Sequence, residues 1–69
     1  MVEVFKTNVQ EQVHAADLVT LFHRRFPGNR INFDLEDCDR ILRIEGDVFC
    51  SDTIKALMNE QGFQCAVLE

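Results

Sequence analysis

Ile31, Phe33 and Leu35 alternate with Asn32, Asp34 and Glu36. Side chains that switch between apolar and polar with a period of two describe a half-buried strand, and a helix of this pattern would scatter the apolar groups around its axis. Everything else in the chain has to give this strand a sheet to join. Upstream, from Gln10 onward, the period changes: Ala15, Leu18, Val19, Phe22 and Phe26 recur at spacings of three and four, with Asp17, Thr20, Arg24 and Arg25 elsewhere around the wheel. This predicts a helix. Arg24 and Arg25 fall in its last turn, where cations suit the dipole, and Pro27 and Gly28 end it. Earlier still, Val2, Val4 and Phe5 form a short strand that gives way to Lys6, Thr7 and Asn8.

Downstream, Glu36, Asp37, Cys38, Asp39 and Arg40 make a polar turn, after which Leu42 and Ile44 alternate with Arg43 and Glu45 until Gly46 and Asp47 break the pattern. A hairpin and a third strand follow from this. Ser51 or Cys50 stands where an N-cap belongs, Asp52 lies in the first turn, and Ile54, Leu57 and Met58 supply one apolar helix face. Gly62 is placed to close that helix, and Phe63, Cys65, Val67 and Leu68 read as a last strand running to the C-terminus. The order strand, helix, strand, strand, helix, strand, with right-handed crossovers and a tight central hairpin, predicts an α+β, ferredoxin-like βαββαβ two-layer sandwich: a four-stranded antiparallel sheet with two helices on one face.

Length and composition limit the functions open to such a fold. Sixty-nine residues, 46% hydrophobic and 28% charged, form one domain spanning residues 1–69. A domain so small has little core to spare for an enclosed active site. A net charge of -5 repels a phosphate backbone, so no nucleic-acid partner is expected. No run approaches 18 apolar residues and Met1 to Lys6 lacks the pattern of a secretion signal, so no membrane segment is expected and the expected location is cytoplasmic. Cys38, Cys50 and Cys65, odd in number and without a C-x-x-C, read as reduced thiols, which suits the same compartment.

The stretch Ile54, Leu57, Met58, Glu60, Gln61, Gly62 and Phe63, together with the phase of Ile31, Phe33 and Leu35, resembles the heavy-metal-associated domain of the copper chaperones and copper-pumping ATPases. The resemblance covers essentially the whole chain. It implies a metal loop between the first strand and first helix, where the family carries Met-x-Cys-x-x-Cys. Counting back from Ile31 by the family's usual spacing, with a loop one or two residues longer, puts Val9 at the methionine, Glu11 at the first cysteine and His14 at the second. This chain reads Val9, Gln10, Glu11, Gln12, Val13, His14 there, so the thiolates that suit soft Cu(I) are replaced by a carboxylate and an imidazole, which suit Zn(II), Ni(II) or Cu(II). Copper(I) chaperone activity is therefore not implied.

Glu11 and His14, three apart at the start of a helix, lie on one face. Two ligands make no tight site, and the nearest third is Cys65 at the start of the last strand; Cys38 is at the same end of the molecule but two strands away, and Cys50 is at the opposite end. The plainer reading makes Glu11 a solvated first-turn carboxylate and His14 an exposed polar residue. Cys50 stands near a helix N-terminus, where a thiol pKa falls, but has no evident base beside it. His23, Arg24, Arg25 and Arg30 form the only basic cluster, opposite an acidic hairpin of Asp34, Glu36, Asp37 and Asp39, so the surface is dipolar. With helices on one face only, some apolar side chains among Val2, Val4, Phe5, Ile41 and the Ala66 to Leu68 run must face outward, and such a patch fits a protein partner or a homodimer. The expected function is a non-enzymatic interaction module with no cofactor; the alternative is weak binding or transfer of a borderline transition metal through Glu11 and His14.

Overall fold

In the computed structural model of the protein, which describes residues 1–46 and 49–68, the elements run β1 (Val2–Thr7), α1 (Gln12–Arg25), β2 (Asn29–Asp34), β3 (Ile41–Gly46), α2 (Ser51–Glu60) and β4 (Cys65–Val67). The strands form one antiparallel sheet in the order β2-β3-β1-β4, so β1 and β3 lie together at its centre and β2 and β4 are its edges. This is the ferredoxin-like α+β arrangement expected from the element order. The part of the third-strand boundary expected at Asp47 lies outside the described residues.

Register decides which face each side chain takes. Phe5 lies opposite Leu42 and Val67, and Ile31 lies opposite Ile44. Because residues two apart share a face, these residues all point to one side, where they join Ala15, Leu18 and Phe22 of α1 and Ile54, Leu57 and Met58 of α2 in a single buried cluster. The other side carries Val2, Val4, Lys6, Arg30, Asn32, Asp34, Ile41, Arg43, Glu45 and Ala66, and among the described residues no helix covers it. Each fully buried Phe, Leu or Ile in the cluster removes enough apolar surface from water to favour folding by about 1.5–3 kcal/mol.

Three boundaries differ from the sequence expectation, the first because backbone amides are engaged elsewhere. The last strand starts at Cys65 rather than Phe63: the Phe63 N–H donates to the Met58 carbonyl at 2.9 Å and the Gly62 N–H to that of Asn59 at 3.0 Å, closing α2 in a Schellman turn, while the Gln64 N–H donates to Asn8 Oδ1 at 2.8 Å. Gly62 takes φ +90 in that turn. Leu35 leaves the ladder yet stays buried under the turn that follows, and α1 starts at Gln12, two residues after the periodicity begins. Of the two candidate caps of α2, Cys50 holds the position.

Candidate functional site

The end of the molecule where β1 passes into α1 is organised by Thr7. Its N–H donates to the Asp39 carbonyl at 3.0 Å, its hydroxyl donates to the Arg40 carbonyl, and the same oxygen accepts the Val9 N–H at 3.2 Å. The loop before α1, the turn after β2 and the start of β4 are thereby drawn together, with Val9 wholly buried beneath them. Arg40, at φ +49, donates from its guanidinium to the Leu35 carbonyl and holds the turn in place.

Glu11 is the N-cap of α1. Its carbonyl accepts the Ala15 N–H at 3.1 Å, but its carboxylate makes no capping hydrogen bond and is exposed. His14 sits one turn on, exposed, with its ring 5.6 Å from that of Phe63 and tilted 55° to it. The two rings flank a groove of about 380 Å³ that also takes in Asp17, Leu18, Leu21 and Gln61. Cys65, opposite Thr7 in the β1–β4 ladder, is half-buried and belongs to a separate depression with Lys6, Asn8, Gln64 and Ala66. The topology thus brings His14 to the turn that precedes Cys65. It does not gather Glu11, His14 and Cys65 into one ligand set: among the described residues the only such trio with potential ligand atoms within 4.8 Å of one another is Asp37, Cys38 and Asp39. Those acids are already engaged, Asp37 Oδ1 accepting the Asp39 N–H at 2.9 Å and Asp39 Oδ1 lying 3.9 Å from Lys6 Nζ.

The cysteines differ in chemistry. Burial pushes the Cys65 thiol up to about 11, only weakly opposed by Lys55, so it is protonated at neutral pH and is not in the thiolate form that attacks or ligates. Cys50 is fully exposed at the N-terminus of α2. The Thr53 amide and hydroxyl, followed by the Asp52 amide, stabilise its thiolate and lower its pKa, although none of them closes a capping bond of ordinary geometry. In native protein at mild alkaline pH, a thiol reagent is expected to label exposed Cys38 and Cys50 first and Cys65 only slowly; mass spectrometry of partly labelled protein checks the order. Equal labelling of all three would contradict the burial of Cys65. The same burial makes stability pH-dependent. Above the ordinary thiol value of 9.0 the unfolded chain loses the Cys65 proton while the folded chain keeps it up to about 11, so this contribution is present below pH 9 and is lost as the pH rises across that window.

The charged surfaces follow the topology. His23, Arg24 and Arg25 occupy the last turn of α1 and Arg30 lies near the start of β2, whereas Asp34, Glu36, Asp37 and Asp39 surround its far end. On the helix-free face, Arg43 pairs with Glu45 at 3.2 Å and Arg30 approaches it at 3.8 Å. Across the sheet on the same face, Val2 of β1 is 49% exposed and Leu68, just past the end of β4, is 40% exposed, its N–H meeting the Val4 carbonyl.

Sequence reasoning missed Thr7 as a hub, because nothing local marks a hydroxyl whose partner is 33 residues away. It also gave Phe63 to a strand, although its ring lies against His14. Among the described residues no helix is long and apolar enough to cross a membrane. Comparison with family models, curated proteins and solved structures returned no match.

Proposed function

We propose that the chain is a heavy-metal-associated-like domain whose metal loop has lost its thiolates and which serves as a small non-enzymatic protein-interaction module in a reducing cytoplasm. The observation that carries this reading is the helix-free face of the sheet, where Val2 and Leu68 are exposed and, among the described residues, no strand pairs with the outer edges of β2 and β4. Apolar side chains exposed on one uncovered face of a domain fit a contact surface. The βαββαβ order with β1 and β3 central supports the kinship, since it is the scaffold that the resemblance implies. Size-exclusion chromatography with light scattering over a range of concentrations, paired with a pull-down, tests the module. Self-association or a stoichiometric partner is expected; a strict monomer at high micromolar concentration with no partner would refute it.

A second reading keeps a metal role, and the exposure of Glu11 and His14 together at the start of α1 favours it. Here Glu11 and His14 bind Zn(II), Ni(II) or Cu(II) weakly and pass it on, without Cys65, which lines a separate depression. Calorimetric titration with each metal is expected to give heat that His14→Ala abolishes. Equal heats from both proteins would remove His14 from the site.

A further inference from the structure

We infer that the partner of this domain is a second copy of itself, joined through the β2 edge by antiparallel strand pairing about a twofold axis at Asn32. The inference goes beyond the interaction-module reading, since it uses the β2 edge, which lies across the sheet from Val2 and Leu68.

The free edge of β2 is built to extend the sheet. Met1 and Gly46 exchange two backbone hydrogen bonds at 2.9 Å, which makes the even-numbered residues of β3 face β1 and its odd-numbered ones face β2. By the β2–β3 register, Arg30, Asn32 and Asp34 then bond inward to Glu45, Arg43 and Ile41. Ile31 and Phe33 consequently aim their N–H and C=O groups off the sheet, and among the described residues no other segment engages them. β2 is six residues long with an unbroken register, contains no proline, and is flanked by an open groove of about 380 Å³ lined by His23, Asn29, Arg30, Ile31 and Asn32. Of the devices that usually blunt an edge, a bulge, a proline and a covering segment are absent among the described residues, while charge is present as Arg30 and Asp34.

Charge then selects the mate and its direction. The helix-free face of β2 reads Arg30, Asn32, Asp34: positive, neutral, negative. The Arg30 side chain is 83% exposed, 3.8 Å from Glu45, and Asp34 spends one oxygen on the Glu36 N–H at 3.3 Å. A parallel mate in register would set like charges side by side. An antiparallel copy centred on Asn32 sets Arg30 opposite the second copy's Asp34 twice over, and opposite charges directly across a strand pair attract. It also brings Ile31 opposite Phe33, the two residues with free backbone groups, so the ladder hydrogen bonds form in the same register. Beyond the strands, the basic end of each copy, His23 to Arg25, faces the acidic turn of the other. A surface complementary to itself under a twofold rotation is what an isologous dimer requires.

Sedimentation equilibrium from about 10 µM to about 1 mM is expected to show a monomer–dimer equilibrium that weakens in about 0.5 M NaCl. Arg30→Glu and Asp34→Arg alone are each expected to weaken association roughly tenfold, since each turns two attractive pairs repulsive, and the double variant R30E/D34R to restore it. Both positions are exposed, and circular dichroism checks that every variant folds. Asn32 forms a pair with itself that lacks ladder bonds, with Cα atoms roughly 4.5 Å apart, close enough for a disulfide. Asn32→Cys, in a Cys38→Ser/Cys50→Ser background, is therefore expected to cross-link under mild oxidation, whereas Arg43→Cys in the same background is not. A monomer at every concentration overturns the self-pairing and leaves the module reading to a different partner. A dimer indifferent to the charge exchange and not cross-linked at residue 32 overturns the β2 edge in favour of another surface.

Discussion

Phe5→Ala is expected to abolish the cooperative fold at 25 °C. Phe5 is wholly buried on a central strand, facing both helices, with Leu42 and Val67 as its cross-strand neighbours. Truncating a buried phenylalanine costs about 3–5 kcal/mol in lost transfer energy and residual cavity. A chain of 69 residues has roughly 3–10 kcal/mol of stability in total, and a core this small places it toward the lower end. Far-UV circular dichroism with urea titration checks the outcome: no native baseline is expected. A sigmoidal transition with its midpoint close to that of the parent would mean that the core collapses around the loss.

Gly46→Ala is the second large effect, and it arises from backbone rather than side-chain packing. Gly46 has φ +140, a conformation costly for any residue with a Cβ, and lies where β3 meets the start of β2. A Cβ there would stand 2.5 Å from Asn29 Oδ1, 2.7 Å from the Gly28 carbonyl oxygen and 2.9 Å from Asn29 Cα. Two of those atoms are backbone and the third is buried, with no hydrogen-bond partner among the described residues, so nothing moves aside cheaply. Strain and overpacking together are expected to cost about 2–4 kcal/mol. Gly62→Ala is the control. Its φ of +90 is also unfavourable, but a Cβ at Gly62 meets nothing within 4 Å, and a cost of about 1 kcal/mol is expected. Thermal or urea melts of the two variants check the ranking, and equal losses would show that the crowding around Gly46 is relieved by a small shift of β2.

The elements were legible because their signal is local. Ile31, Phe33, Leu42 and Ile44 alternate, and Ala15, Leu18 and Phe22 repeat at helical spacing, so direction along each segment can be read without knowing its neighbours. The βαββαβ order then left few ways to connect them. The candidate site was legible only as a location. That Cys65 starts β4 near the loop of Glu11 follows from topology. That His14 turns to Phe63 while Cys65 lines a different depression depends on side-chain placement, which no spacing encodes.

Residues outside regular elements mark the division most plainly. Val9, Leu35 and Phe49 complete the core from loops, and periodicity is silent where no element repeats. What the chain determined by itself is the set of strands and helices and which side of each is apolar, since every two or 3.6 residues the backbone returns a side chain to the same direction. What the tertiary structure decided is who meets whom: Thr7 with Arg40, Asn8 with Gln64 across 56 residues, and the β2 edge left bare with its charges in self-complementary order. Those meetings depend on how the segments lie across one another once the core has closed, and this is a property of the packed molecule rather than of any stretch within it.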